Sequence, residues 1–230
     1  MVTFQVNFIN TKQIEIMRVL IACEESQATT KAFRKLGHEA FSCDLLPCSG
    51  GHPEWHYQQD VFEVINEGWD LMVAHPPCTF LAVSGARWMY NKDGSVNQDR
   101  WNNQQKALAF VQKLMDAPID KIAIENPISV ISSQIRKPDQ IINPWMFGDK
   151  AQKSTCLWLK NLPLITPTNI VEKGEFFEWV DKKTGKTKRQ AQWYLDALKN
   201  AKTKEERQTL RSKTFEGMAN AFADQWTINI

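Results

Sequence analysis

Four strand-like runs punctuate the first 125 residues of this 230-residue chain, and each ends on residues able to do chemistry. Val19-Leu20-Ile21-Ala22 has no polar position, as expected of a strand buried on both faces. It stops at Cys23-Glu24-Glu25-Ser26. Glu39-Ala40-Phe41-Ser42-Cys43-Asp44 is a second run and closes on an acid. Asp70-Leu71-Met72-Val73-Ala74 and Lys121-Ile122-Ala123-Ile124-Glu125 are the third and fourth. Helical spacing fills the gaps. Ala28, Ala32, Phe33 and Leu36 line one face, which Gly37 ends in the usual position for a left-handed cap. Ala107, Phe110, Val111, Leu114 and Met115 form a second stripe. Strand alternating with helix predicts an α/β fold, a doubly wound and mostly parallel sheet with helices on both faces. Ligands of such sheets bind beyond the carboxyl ends of the strands. Those ends hold Cys23-Glu24-Glu25, Asp44, His75-Pro76-Pro77-Cys78 and Glu125-Asn126-Pro127.

The pattern changes after residue 130. Ser154-Thr155-Cys156-Leu157-Trp158-Leu159 predicts a strand stopped at Leu162-Pro163. Residues Phe176 to Val180 and Thr187 to Gln190 predict a hairpin around Lys183-Thr184-Gly185-Lys186. Residues 190–212 are charged helix formers, and Phe215 to Trp226 predicts a last amphipathic helix. The chain therefore divides into a peripheral extension over 1–16, a catalytic domain over 17–170, a basic hairpin and helix over 171–213, and a helix over 214–230 that returns to the catalytic domain. Met17, directly before the first strand, sets the first boundary.

Composition narrows the class. Hydrophobic residues make up 43% of the chain and nine are tryptophan, which excludes a disordered segment. No apolar run reaches the length needed to span a bilayer, so no membrane partner is expected. The opening MVTFQVNFINTKQ lacks the basic and apolar regions of a secretory signal. Five irregularly spaced cysteines suit a reducing cytoplasm better than a disulfide framework. The net charge of +2 says little, but residues 181–213 hold eleven Lys/Arg against four Asp/Glu. Such a surplus suits a phosphate backbone, although a solvated helix surface has the same appearance.

Two motifs carry the chemistry. In LMVAHPPCTFLAVSG two prolines fix the backbone where a strand ends, so the next side chain, Cys78, is held in one direction over the site. An isolated cysteine is more often a buried structural residue, and its place after Pro-Pro makes Cys78 a candidate nucleophile. Glu125 emerges from Ile122-Ala123-Ile124, and a carboxyl group there is costly to bury without a partner or a task.

Pro76-Pro77-Cys78, with Phe80 and Ser84-Gly85, resembles the nucleophile motif of the cytosine-5 DNA methyltransferases. Glu125-Asn126-Pro127 resembles their Glu-Asn-Val motif, in the same order. The match covers roughly residues 18 to 160, with a weaker one at Gly217-Met218-Ala219-Asn220-Ala221. The strings CEESQ, HPPCTFLAVSGARW, ENP, KPDQIINPW and TCLWLKNLP are similar to short methyltransferase-like proteins of phages and prophages, a resemblance that suggests protection of phage DNA from restriction.

The resemblance implies a Rossmann-like, S-adenosylmethionine-dependent methyltransferase fold with a small basic C-terminal appendage. It implies double-stranded DNA as partner, with the target cytosine flipped out of the helix. Cys78 would add to ring carbon 6, Glu125 would hold the ring nitrogen and exocyclic amine, and Asn126 would orient the loop around Cys78. Cys23, Glu24, Glu25, Asp44, Asp60 and Pro76 are the implied cofactor-binding residues, with Asp44 on the ribose and Asp60 on the adenine amine. The first turn departs from the family in having no glycine. Arg87, Lys153 and Thr155 are implied contacts to the nucleic acid, and the charge pattern adds Lys183, Lys186 and Arg189. Lys153 stands where the family has arginine and lacks its bidentate grip. About sixty residues separate Cys156 from Gly217, little room for a target-recognition domain, so the expectation is short or relaxed sequence specificity, a partner protein that supplies it, or a substrate other than ordinary duplex DNA. A pyrimidine-modifying enzyme with another cofactor or nucleic acid, and a non-catalytic binding or decoy protein on the same fold, are the alternatives.

Two other signals weigh less. Cys43, Cys48, His52 and His56 have a spacing that can hold zinc, but Cys43 falls inside a predicted strand and no metal is expected. The Pro-Pro also resembles the Asp-Pro-Pro-Tyr motif of amino-methyltransferases, yet His75 and Cys78 replace the two residues that chemistry needs.

Overall fold

The structure, a computed structural model, describes residues 15–203, 206, 210, 212 and 214–227. Most of the 1–16 extension and most of the charged stretch after residue 203 lie outside the described residues. In chain order the elements are β1 (Arg18–Ala22), α1 (Ala28–Lys35), β2 (Glu39–Asp44), β3 (His56–Gln58), α2 (Val61–Val64), β4 (Leu71–Ala74) and α3 (Gln98–Met115). They continue with β5 (Lys121–Pro127), α4 (Ile131–Gln134), β6 (Gln140–Ile142), β7 (Thr155–Lys160), β8 (Phe176–Val180), β9 (Thr187–Ala191), α5 (Gln192–Asn200) and α6 (Glu216–Thr227).

Seven strands form one sheet in the order β3-β2-β1-β4-β5-β7-β6. β1 to β5 run parallel, whereas β7 pairs antiparallel with both β5 and β6. A parallel sheet with one antiparallel strand inserted beside its edge is the Rossmann-like methyltransferase fold. The order reverses between β1 and β4, which opens a crevice at their carboxyl ends.

Alternation along the strands explains the unbroken apolar runs. Val19, Ile21, Leu71, Val73 and Ala123 face one layer, built with Ala32 and Phe33 of α1 and Met218, Phe222 and Trp226 of α6. Leu20, Ala22, Met72, Ala74, Ile122 and Ile124 face the other, against Leu108, Val111 and Leu114 of α3. Both faces of β1 and β4 are thus covered, so beyond the half-buried Arg18 at the start of β1 neither has a polar position. Each fully buried Leu, Ile or Phe contributes about 1.5–3 kcal/mol of transfer free energy.

Helix ends follow local chemistry. Gly37 takes φ 89° and its N–H donates to Arg34 O, which closes α1 as its sequence predicts. The N-terminus of α1 lacks a capping side chain on Gln27. Glu24 does that work from five residues away: its carboxylate accepts from Thr29 N at 2.7 Å, Thr30 N at 3.1 Å and Thr30 Oγ1 at 2.7 Å. Helix α6 returns to pack on α1, with Trp226 Nε1 donating to Pro163 O. No helix of the described residues is long and apolar enough to cross a membrane.

Candidate active site

The short turn after β1 does without glycine by placing two other residues in the left-handed region. Cys23 has φ 60° and Gln27 φ 57°. Such backbone costs of order 1 kcal/mol or more per residue and persists only where the surroundings over-determine it. Here they do. Cys23 N and Glu24 N both donate to Cys43 O, Glu24 is locked on α1, and the buried Gln27 amide bonds Ser42 Oγ, His52 O and His52 N.

This turn forms one wall of a cavity of about 220 Å³ at the strand ends. Cys23, Asp44, Asp60 and Pro76 line it together with apolar Leu45, Val61, Phe80 and Phe110. Asp44 closes β2 and accepts from Leu46 N, while Asp60 caps α2 and accepts from Phe62 N. Each carboxyl group retains a second oxygen for a ligand. Apolar walls bounded by two acids suit a nucleoside: a flat base lies against the walls and its hydroxyls or amine meet the carboxylates.

Glu24 and Glu25, expected in this site, do not line the cavity. The Glu24 carboxylate is consumed by the α1 cap, and that of Glu25 accepts from Ser49 Oγ. The Cys43, Cys48, His52 and His56 spacing, which weighed less in the sequence, does not converge on one point. Cys43 Sγ donates to Gln59 O, His52 meets Glu54, and His56 meets Ser42 and Leu46 O. Among the described residues no group of three or more His, Cys, Asp or Glu side chains could hold a metal ion.

Cys78 lies beside the cavity, half-buried, on the turn that follows β4. Its carbonyl accepts from Leu81 N and Ala82 N, which starts a tight turn directly after the sulfur-bearing residue. Three elements hold that turn. From β5, Asn126 Nδ2 donates to Pro76 O at 2.8 Å. From α3, Gln104 Nε2 donates to Phe80 O and an Arg100 guanidinium nitrogen to Thr79 O. From the loop after β5, Ser129 bridges to Ala82, flanked by Val83 N to Ile128 O and Val130 N to Leu81 O. The Pro76 residue that borders the cavity is therefore also the one that Asn126 pins.

Glu125 stands on β5, directly beside β4. One of its oxygens, Oε2, lies 3.0 Å from His75 Nδ1, and His75 Nε2 lies 3.2 Å from Thr29 Oγ1. Burial disfavours charge on both partners, yet each is held charged by the other. For His75, burial pulls the pKa down, but the hydrogen bond and charge of Glu125, with help from Glu24, carry it above the ordinary value. For Glu125, burial pushes up, and the His75 hydrogen bond, the Lys153 charge and the Thr155 hydroxyl hold it below the ordinary carboxylate value. Lys153 and Thr155, expected near the substrate, are thus brought to Glu125. Cys23, Cys43 and Cys156 are held as thiols. Burial, reinforced by Asp44, raises Cys23 far above its usual range; burial also pushes Cys43 up to about 12 and Cys156 up to about 11.

Sequence reasoning placed His75 at a strand end without a role, and missed Arg100 and Gln104. Their partners are 50, 21 and 24 residues away, so no local spacing marks them. The remaining expected contacts lie on the surface. Arg87 is exposed and folds over the Trp88 ring at 4.4 Å. Lys183, Lys186 and Arg189 sit on the β8–β9 hairpin, a separate two-stranded sheet.

No family model matches this chain, and no curated protein does. Among solved structures it is similar to the Dnmt2 methyltransferase of S. pombe at 15% identity and a TM-score of 0.42, over 82% of this chain and 61% of that one. It is likewise similar to a triply substituted DNMT2 of Spodoptera frugiperda at 15% identity and a TM-score of 0.42, over 73% of this chain and 61% of that one. The chain spans less than two thirds of the length of either.

Proposed function

We propose that this chain methylates carbon 5 of cytosine in DNA, with Cys78 as nucleophile and S-adenosylmethionine as methyl donor. One observation carries the reading. Cys78 and Glu125 stand at the ends of adjacent parallel strands, and the Asn126 to Pro76 bond clamps both motifs to the rim of a cavity lined by apolar side chains and two acids.

Asp44, Asp60, Pro76 and the apolar walls would hold the cofactor, which supplies a methyl group on a positively charged sulfur. The chain's residues do the rest. Ring carbon 5 is a poor nucleophile until the Cys78 thiolate adds to carbon 6 and pushes electron density into the ring. The Glu125 oxygen left over by His75 accepts from the exocyclic amine and stabilises the adduct. Carbon 5 then takes the methyl group. A water molecule acting as base takes the carbon 5 proton, which re-forms the ring double bond and expels Cys78 as thiolate. A stacked base cannot reach Cys78, so the cytosine must leave its stack, at a cost of a few kcal/mol in a duplex. Arg87, Lys183, Lys186 and Arg189 supply phosphate contacts, and sequence specificity is either short and relaxed or supplied by a partner protein.

The test is DNA carrying 5-fluorocytosine, incubated with protein and S-adenosylmethionine. Fluorine cannot leave as a proton does, so the adduct is trapped. A covalent complex that disappears in Cys78→Ala is the expected result. Cofactor binding without an adduct would reject cytosine carbon 5 as the target, and neither binding nor adduct would reject the enzyme altogether.

A further inference from the structure

Strands β8 and β9 pair only with each other, and apolar side chains on this hairpin remain in water. Phe177 and Trp179 are two residues apart on β8 and so share one face. They are 52% and 40% exposed, with their rings stacked 6.0 Å apart at 26°. Gln190 and Lys188 lie directly across from them on β9. The hairpin from Phe176 to Ala191 carries five Lys/Arg against two Asp/Glu. The turn is fixed by Asp181, which accepts from Lys183 N, Thr184 N and Thr184 Oγ1 and pairs with Lys188. Among the described residues Lys182, Lys183 and Lys186 are in no ion pair.

The base of the hairpin is anchored on the Glu125 side of the sheet. Gln192 N donates to Glu175 O, and Trp193 Nε1 donates to Gln152 O, one residue from the Lys153 whose charge acts on Glu125. Exposed rings of this kind call for a partner. Flat rings beside a turn that carries unpaired lysines fit a polyanion whose bases are free to stack. A protein partner fits poorly because interface cores are depleted of lysine, and a second copy would bring like charges together. Duplex bases already stack on one another and offer these rings nothing.

We infer that the Phe177–Trp179 face is a stacking platform for unpaired bases, so this chain binds its nucleic acid as a single strand. The inference rests on the proposed function only for what happens to the bound base, since binding requires neither cofactor nor Cys78.

The experiment measures binding of a labelled single-stranded oligonucleotide, and of a duplex of equal length, by anisotropy across a salt series. Wild type and Cys78→Ala are expected to bind the single strand at least about tenfold more tightly than the duplex, with quenching of tryptophan fluorescence. The Phe177→Ala/Trp179→Ala variant should lose about tenfold or more on the single strand and little on the duplex. Replacing Lys182, Lys183 and Lys186 with alanine should reduce the salt slope by about 2. Because these side chains are exposed, the ring and lysine variants should melt with wild type. Equal affinity for both oligonucleotides, or no effect of removing the rings, would overturn the inference. So would concentration-dependent self-association that only the ring variant abolishes. Binding with no fluorocytosine adduct would leave the platform standing and reject the chemistry alone.

Discussion

His75 and Glu125 form a 3.0 Å imidazole–carboxylate pair between the ends of two adjacent strands, with side chains only 10% and 13% exposed. A third member, Thr29 Oγ1, extends it to the first turn of α1, whose backbone Glu24 caps. One polar chain therefore runs from the cofactor-side turn to the candidate substrate-side carboxylate. Removing either ionic partner leaves the other buried and uncompensated.

The pair makes stability depend on pH in a defined window. The folded pKa of His75 is raised, so its contribution is full below the ordinary 6.5 and is lost as pH climbs through the folded value. The folded pKa of Glu125 is lowered, so its contribution is full above the ordinary 4.5 and is lost as pH falls through the folded value. Both shifts count the same interaction and are not summed. Between about pH 4.5 and 6.5 the His75→Gln variant is expected to show its largest deficit in Tm against wild type, shrinking on either side. A deficit independent of pH would mean that the pair is not ionic. In the fluorocytosine assay the same variant should slow adduct formation more than it weakens cofactor binding, because Glu125 loses its orientation.

Cysteine chemistry offers a direct check on the nucleophile. Cys43 and Cys156 are buried, and Cys23, Cys43 and Cys156 are all held as thiols by burial. Since the thiolate is the reactive form, alkylation of native protein near pH 8 is expected to spare these three and modify Cys48 and Cys78. In a Cys48→Ser background, peptide mapping should find a single modified site at Cys78, and adduct formation should fall in step with its modification. Labelling of Cys23 before Cys78 would contradict the burial that the fold gives it.

Asn126 tests whether the clamp or the nucleophile sets the rate. Its amide nitrogen holds Pro76 O, and the side chain is almost fully buried. Asn126→Ala removes that donor and strands the carbonyl, which should cost about 1–3 kcal/mol of stability. Adduct formation is expected to fall by an order of magnitude or more, since a displacement near 1 Å is enough for about a hundredfold. Unchanged adduct formation in a protein with a lowered Tm would show that the prolines alone position Cys78.

The strand ends were legible in the sequence because the apolar stretches of β1, β2, β4 and β5 give way to reactive side chains at or just beyond their carboxyl ends. Cys78, Glu125 and Asp44 stand out for that reason. What stayed hidden was non-local. β3 and β6 are three residues long and supply too short a pattern to read. The antiparallel place of β7 between β5 and β6 depends on pairing that no local periodicity encodes. Glu24 reads as a cavity residue because it follows β1, whereas the bare N-terminus of α1 claims its carboxylate. His75 looks like a replacement for an acid until its partner, fifty residues away, is in place.

Gly217 carries the last prediction. Helix α6 begins beside the Phe147 carbonyl, and a Cβ on Gly217 would stand 1.9 Å from that oxygen and 2.9 Å from Asp149 Oδ2. The first contact is with backbone, which cannot swing aside, and the second is with the carboxylate that accepts from Gly217 N at 3.1 Å. Gly217→Ala must therefore shift the start of α6 or the Phe147 turn, although alanine is the better helix former. Overpacking of this kind should cost about 1–3 kcal/mol and outweigh the propensity gain of about 1 kcal/mol. Because α6 packs on α1, and α1 carries Thr29 of the His75 network, the loss is expected to reach the site as weaker cofactor binding. Urea unfolding and cofactor titration of the variant check both parts. A variant as stable as wild type would mean that α6 is seated less closely than this contact requires.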